Sequence, residues 1–128
     1  MNKFIINRSK WLRGEGSLNS FLLRESDGKQ CCLGQYANFC DISDENILGL
    51  KSPLSLFRDQ SEEAYNDGLK KYSKYSKLLT VDDIGCSHSY NTVELMSTND
   101  DPSIFDNARE DRLKTLFANI GIEVTFDD

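Results

Sequence analysis

An α+β fold is the class this sequence predicts, on three observations. Short β-type segments stand near both ends, KFIIN at 3–7 and the alternating IEVTF at 122–126. Helical apolar spacing follows Cys31, and a stronger stripe, Leu113, Leu116, Phe117 and Ile120, precedes Gly121. The two terminal strands are expected to share a small sheet, packed by the helix after Cys31 and by the C-terminal helix.

In chain order, Phe21 to Arg24 reads as a further strand closed by a tight turn at Asp27-Gly28. In CCLGQYANFCDI, Tyr36, Phe39 and Cys40 follow Cys32 at i+4, i+7 and i+8, which places them on one buried helix face. Asn46 to Leu50 is a short apolar fragment closed off by Pro53, and Leu54 to Leu79 reads as a helix broken near Gly68. Tyr90 to Met96 reads as a short helix with Val93 and Met96 inward and Glu94 outward. Asp100, Asp101 and Pro102 break the chain, Asp106 is the N-cap candidate of the last helix, and Gly121 stops it.

With 128 residues the chain is the size of one domain, 1–128, able to bury a core without staples. A hydrophobic share of 38% is too high for a disordered chain, and a 28% charged share with no long apolar run excludes a membrane span. The start, MNKFIINRSKW, has no signal-peptide core, so a cytosolic protein with reduced thiols is expected. The net charge of −6 is unevenly spread: residues 1–40 carry a balance of +3 and the remainder −9. An acidic whole argues against nonspecific nucleic-acid binding, whereas a local anion site in the first third is permitted.

Five groupings could carry chemistry. In NRSKWLRGEG, Arg8, Lys10 and Arg13 surround Trp11, a pattern suited to a nucleotide: the indole would stack on the base and the cations would hold phosphate. The plainer alternative is a core tryptophan with exposed neighbours. Cys31 and Cys32 stand at a predicted helix start, which lowers a thiol pKa. With His88 as base and Asn91 or Asp82 as orienter they outline a nucleophilic site, against the alternative of packed, inert thiols. Cys86 and His88 with Cys31 and Cys32 supply four zinc-type donors, but without the C-x₂-C spacing of common zinc modules. Asp82-Asp83 and Asp100-Asp101 could hold a cation through oxygen or simply mark turns, and Gly14-Glu15-Gly16 reads as a flexible turn. In LKKYSKYSKLL, Lys70, Lys74 and Lys77 share a helix side with Tyr72 and Tyr75 interleaved, either a phosphate-binding face or a solvated one. No motif for a known cofactor is present, so neither a cofactor nor a metal is assigned.

The segments RSKWLRG at 8–14, DGKQCCLG at 27–34 and NDDPSIFDNAREDRLKTLFANIGIEVTF at 99–126 resemble a group of small tailed-bacteriophage accessory proteins. The resemblance covers both ends of the chain, leaves 51–85 unmatched and brings no catalytic residue with it. It implies a task in the host cytoplasm: stoichiometric antagonism of a defence system, either by sequestering a small nucleotide signal at Arg8, Lys10, Trp11 and Arg13 or by masking a host protein through an acidic surface. A hydrolase using Cys31 or Cys32 with His88 is the enzymatic alternative. A homo-oligomer is compatible with the sequence.

Overall fold

A computed structural model describes residues 2–57, 72–82 and 85–128. The outer strands β1 (Asn2–Asn7) and β4 (Ile122–Asp127) pair in parallel, in register from Asn2 opposite Ile122 to Asn7 opposite Asp127. The chain between them folds as α1 (Cys32–Phe39), the one-turn α2 (Asp44–Ile47), an antiparallel pair β2 (Leu79–Asp82) and β3 (Gly85–His88), then α3 (Tyr90–Asp100) and α4 (Asp106–Ala118). The mixed α+β class and the shared terminal sheet are therefore as the sequence predicts. Among the described residues, no helix is long and apolar enough to cross a membrane.

Strand alternation fixes the layers. Phe4 and Ile6 of β1 and Ile122 and Val124 of β4 point into the core, while Lys3, Ile5, Glu123 and Thr125 point outward. The Phe4 ring lies 5.4 Å from Tyr36, 5.2 Å from Phe39 and 5.5 Å from Phe117, which joins the sheet to α1 and α4 in one aromatic cluster. Six consecutive residues of α1, Cys32 to Ala37, are buried, so the helix is enclosed rather than laid on a surface. Gly34 makes this enclosure possible: a Cβ there would stand 1.8 Å from the carbonyl oxygen of Leu22.

Five expectations need correction. Phe21 to Arg24 forms no strand. Leu23 makes one parallel bridge to Leu48, and Leu22 N–H donates to Leu50 C=O, so this apolar run is buried as a loop. The turn after it does form, with Gly28 at φ +73° and Asp27 Oδ1 accepting from Lys29 N–H. Of the Leu54 to Leu79 helix, the described ends are separate 3₁₀ turns at Pro53–Leu56 and Tyr75–Leu78; Gly68, Lys70 and Lys71 lie outside the described residues. Tyr75 is not a surface ring, because it is fully buried and its hydroxyl donates to Leu33 C=O, while Lys74 and Lys77 are exposed.

In α3 the inward face is Thr92, Leu95, Thr98 and Asn99, whereas Val93 is half exposed. Hydropathy misplaces this face because its polar members are satisfied inside; Thr92 Oγ1, for example, donates to Leu78 C=O at 2.7 Å. In α4 the N-cap is Phe105, whose ring is exposed. Asp106 occupies the first turn, where a carboxylate favours the helix dipole.

The enclosure of α1 gives a test. Gly34→Ala drives a methyl into backbone and should cost more than about 3 kcal/mol in urea unfolding. Gly28→Ala meets no atom within 4 Å and suffers only its left-handed φ, so it should cost about 1 kcal/mol.

Candidate functional site

A 3₁₀ turn at Arg8–Lys10 follows β1 directly, with Asn7 Oδ1 accepting from Ser9 N–H as its cap. The turn throws Trp11 inward, where Leu12 N–H donates to Gln30 C=O and Gln30 N–H to Lys10 C=O. The indole is 2% exposed and its N–H donates to Asn99 Oδ1 at 2.8 Å. Phe126 packs 5.1 Å from the Trp11 ring, and the Arg13 guanidinium lies 4.5 Å from the ring centroid.

The two arginines are engaged from within the molecule. Arg8 forms a two-pronged pair with Glu110, Nη2 to Oε1 at 2.7 Å and Nε to Oε2 at 2.9 Å, and reaches Asp128 with Nη1 at 3.0 Å. Arg13 reaches Asp106 at 3.2 Å and donates to the carbonyls of Arg8 and Trp11. Burial pushes Asp106 upward, but Arg13 and Arg109 outweigh it and hold this carboxyl below its usual range. Arg8, Trp11 and Arg13 are thus brought together, yet as a closed internal network that leaves a base no indole face to stack on. Lys10, the fourth member, is exposed and forms no ion pair within 4 Å among the described residues.

The thiols at the start of α1 also differ from expectation. Cys31 and Cys32 are buried, and burial pushes the Cys31 thiol up to about 12 and Cys32 well above its ordinary value, the reverse of the lowering expected at a helix start. The space beside them, next to Asp100, is about 10 Å³, no more than one water needs. Burial likewise raises Asp100, with Asn99 and Ser20 opposing through hydrogen bonds, while Asp101 folds back on Ser103. His88 Nε2 accepts from Leu54 N–H at 3.1 Å, so that nitrogen is engaged in holding a backbone turn. Asn91 donates to Leu116 C=O. The side chains of Asp82 and Cys86, and all of Asp83, lie outside the described residues. Among the described residues no three His, Cys, Asp or Glu side chains converge on a metal-sized point.

Four groups escape sequence reasoning. Asn99 accepts from both the Trp11 indole and Cys32 N–H, so it caps α1 from another helix, and its Nδ2 donates to Leu12 C=O. Gly14 and Gly16 N–H donate to the carbonyls of Asn99 and Asp100, which makes the expected flexible turn a docked one. Arg109, 2% exposed, donates to the carbonyls of Thr98, Asn99, Asp101 and Ile104 and so closes the C-terminal end of α3. A polar residue at helical spacing carries no local sign of such a role. The fourth group is the wall of an open groove of about 430 Å³ between β1 and α1, lined by Lys3, Ile5, Lys10, Gln35, Asn38 and Phe39 among others.

Comparison with known protein families, with curated proteins and with solved structures finds no match for this chain. The groove is consequently judged on its own chemistry. At its inner end the Gln35 side chain mimics a neighbouring strand: Asn7 N–H donates to Gln35 Oε1 at 2.8 Å, and Gln35 Nε2 donates to Asn7 C=O at 3.1 Å.

Two outcomes follow. Asn99→Ala strands two buried N–H donors and one carbonyl, so it should lower unfolding stability by about 3 kcal/mol or more. Because the thiols ionise in the unfolded chain from about pH 9 but stay neutral when folded, stability should fall as the pH rises above 9. The slope approaches about 1.4 kcal/mol per pH unit for each buried thiol, and Cys31→Ala should reduce it in denaturant titrations.

Proposed function

We propose that this chain is a non-enzymatic binding protein, a phage-type antagonist that disables a component of host defence by covering a protein surface. The observation that carries this reading is the open groove beside β1, where a strand edge, an apolar wall and two exposed lysines meet. Two further observations support it. The thiols that would serve a hydrolase are buried and held neutral, and the guanidinium groups that would serve a nucleotide site already face Glu110, Asp128 and Asp106. An acidic chain of net charge −6 also suits a partner with a basic rim.

Capture of a small nucleotide signal is the second reading, and Lys3 and Lys10 favour it because both line the groove without an ion pair among the described residues. On that reading the ligand is held by these lysines, and Arg8, Trp11 and Arg13 support the wall from behind.

Native mass spectrometry of the chain purified gently from a bacterial host separates the readings. The expected result is a complex with one protein at fixed stoichiometry, weakened by high salt and unchanged by thiol alkylation or by His88→Gln. A retained mass of a few hundred daltons and no protein partner would favour nucleotide capture. Biological activity that disappears on alkylation would restore the hydrolase.

A further inference from the structure

In a strand, the N–H and C=O of one residue point to the same edge, and alternate residues share that edge. Both backbone groups of Asn7 face Gln35, away from β4. The N–H and C=O of Ile5 and Lys3 therefore face the same way, along the groove, and among the described residues nothing accepts from or donates to them on that side. A two-stranded sheet with one such edge open is a template for one more strand. Gln35 ends the template at Asn7, which leaves two residues, Lys3 and Ile5, able to exchange four hydrogen bonds. A segment of about five residues, roughly 17 Å long, would span them.

The side chains around the edge define the occupant. Phe39, which packs against inward-pointing Phe4, gives an apolar surface on the inner side of the edge for every second side chain of an added strand, and the intervening side chains fall on the outer face with Lys3 and the 57% exposed Ile5. Lys3 and Lys10 both line the groove, exposed and, among the described residues, without an ion pair within 4 Å, although Glu123 is in register opposite Lys3. Two unneutralised lysines select an acidic segment. They also oppose a second copy of this chain, because pairing one β1 edge with another would bring lysines of both copies to one seam.

We propose that the free edge of β1 binds an extended, acidic segment of a partner protein by strand addition, with every second side chain apolar and turned inward onto Phe39, and the carboxylates between them on the outer face with Lys3, in the groove that Lys10 also lines. This rests on the reading of the chain as a protein-binding module and names the chemistry of its partner.

The probes are three blocked heptapeptides on the intact chain: alternating Val and Glu, alternating Val and Lys, and the Val-Glu peptide N-methylated at alternate amides so that one edge loses its donors. Binding is read by amide exchange and ¹⁵N shifts. The expected result is protection of the Lys3 and Ile5 amides by the Val-Glu peptide alone, at least tenfold weaker for the exposed-residue variant Lys3→Glu, Lys10→Glu. No protection at millimolar peptide, or equal binding by the Val-Lys or N-methylated peptide, overturns the proposal. If a partner is captured from the host and protects amides elsewhere while Lys3 and Ile5 exchange as in the free chain, the edge is overturned and the binding reading stands. If no partner is captured, that reading fails, and the peptides still decide the edge.

Discussion

The side-chain amide of Asn99 joins three segments distant in sequence. Its oxygen receives the indole N–H of Trp11 and the first N–H of α1, and its nitrogen bonds the carbonyl of Leu12. All of these groups are buried, so none can turn to water if the amide is lost, and each would cost about 1–3 kcal/mol unpaired. Arg109 fixes the same place from the other side, since its guanidinium bonds the carbonyl of Asn99 and three others at the end of α3. The position of α1, and with it the wall of the groove beside β1, follows from this junction.

The charge asymmetry of the sequence acts largely within the fold. The surplus of positive charge in the first third meets the acidic remainder through Arg8 with Glu110 and Asp128, and Arg13 with Asp106. Exposed pairs of this kind add little stability singly. Arg8 is better placed, because its fork is matched by both oxygens of a half-buried Glu110 while its guanidinium carbon lies 5.7 Å from the centre of the Phe126 ring. Lys3 of β1 and Lys10 of the turn after it form no ion pair within 4 Å among the described residues, so the groove keeps its positive character.

Where local pattern and tertiary role coincide, the sequence was readable. Phe4 and Ile6, Ile122 and Val124, and Leu113, Leu116 and Phe117 each mark the buried side of their element, so the terminal sheet and the last helix could be placed. Leu22 and Leu23 look the same as strand residues but are buried as a loop against α1, because an apolar run records burial and not the hydrogen bonds of its backbone. In α3 the buried face is led by Thr92 and Asn99, whose partners are distant in sequence, and no periodicity of apolar residues could point to it. The cationic cluster was found but not its neutralisation, since Asp106, Glu110 and Asp128 stand about a hundred positions away. The groove was missed altogether: whether a strand has a free edge depends on how many neighbours it acquires, and one segment read alone cannot reveal that.

Parallel pairing of β1 with β4 has a consequence for the order of events during synthesis. The two strands are offset by 120 positions, and at roughly 5–20 residues per second a ribosome needs about 6 to 24 s to deliver the second after the first. For that interval Phe4 and Ile6 belong to an apolar strand with both edges bare, the kind of nascent segment that other chains or holding chaperones engage. The sheet that carries the groove is thus completed only when β4 emerges and pairs with β1.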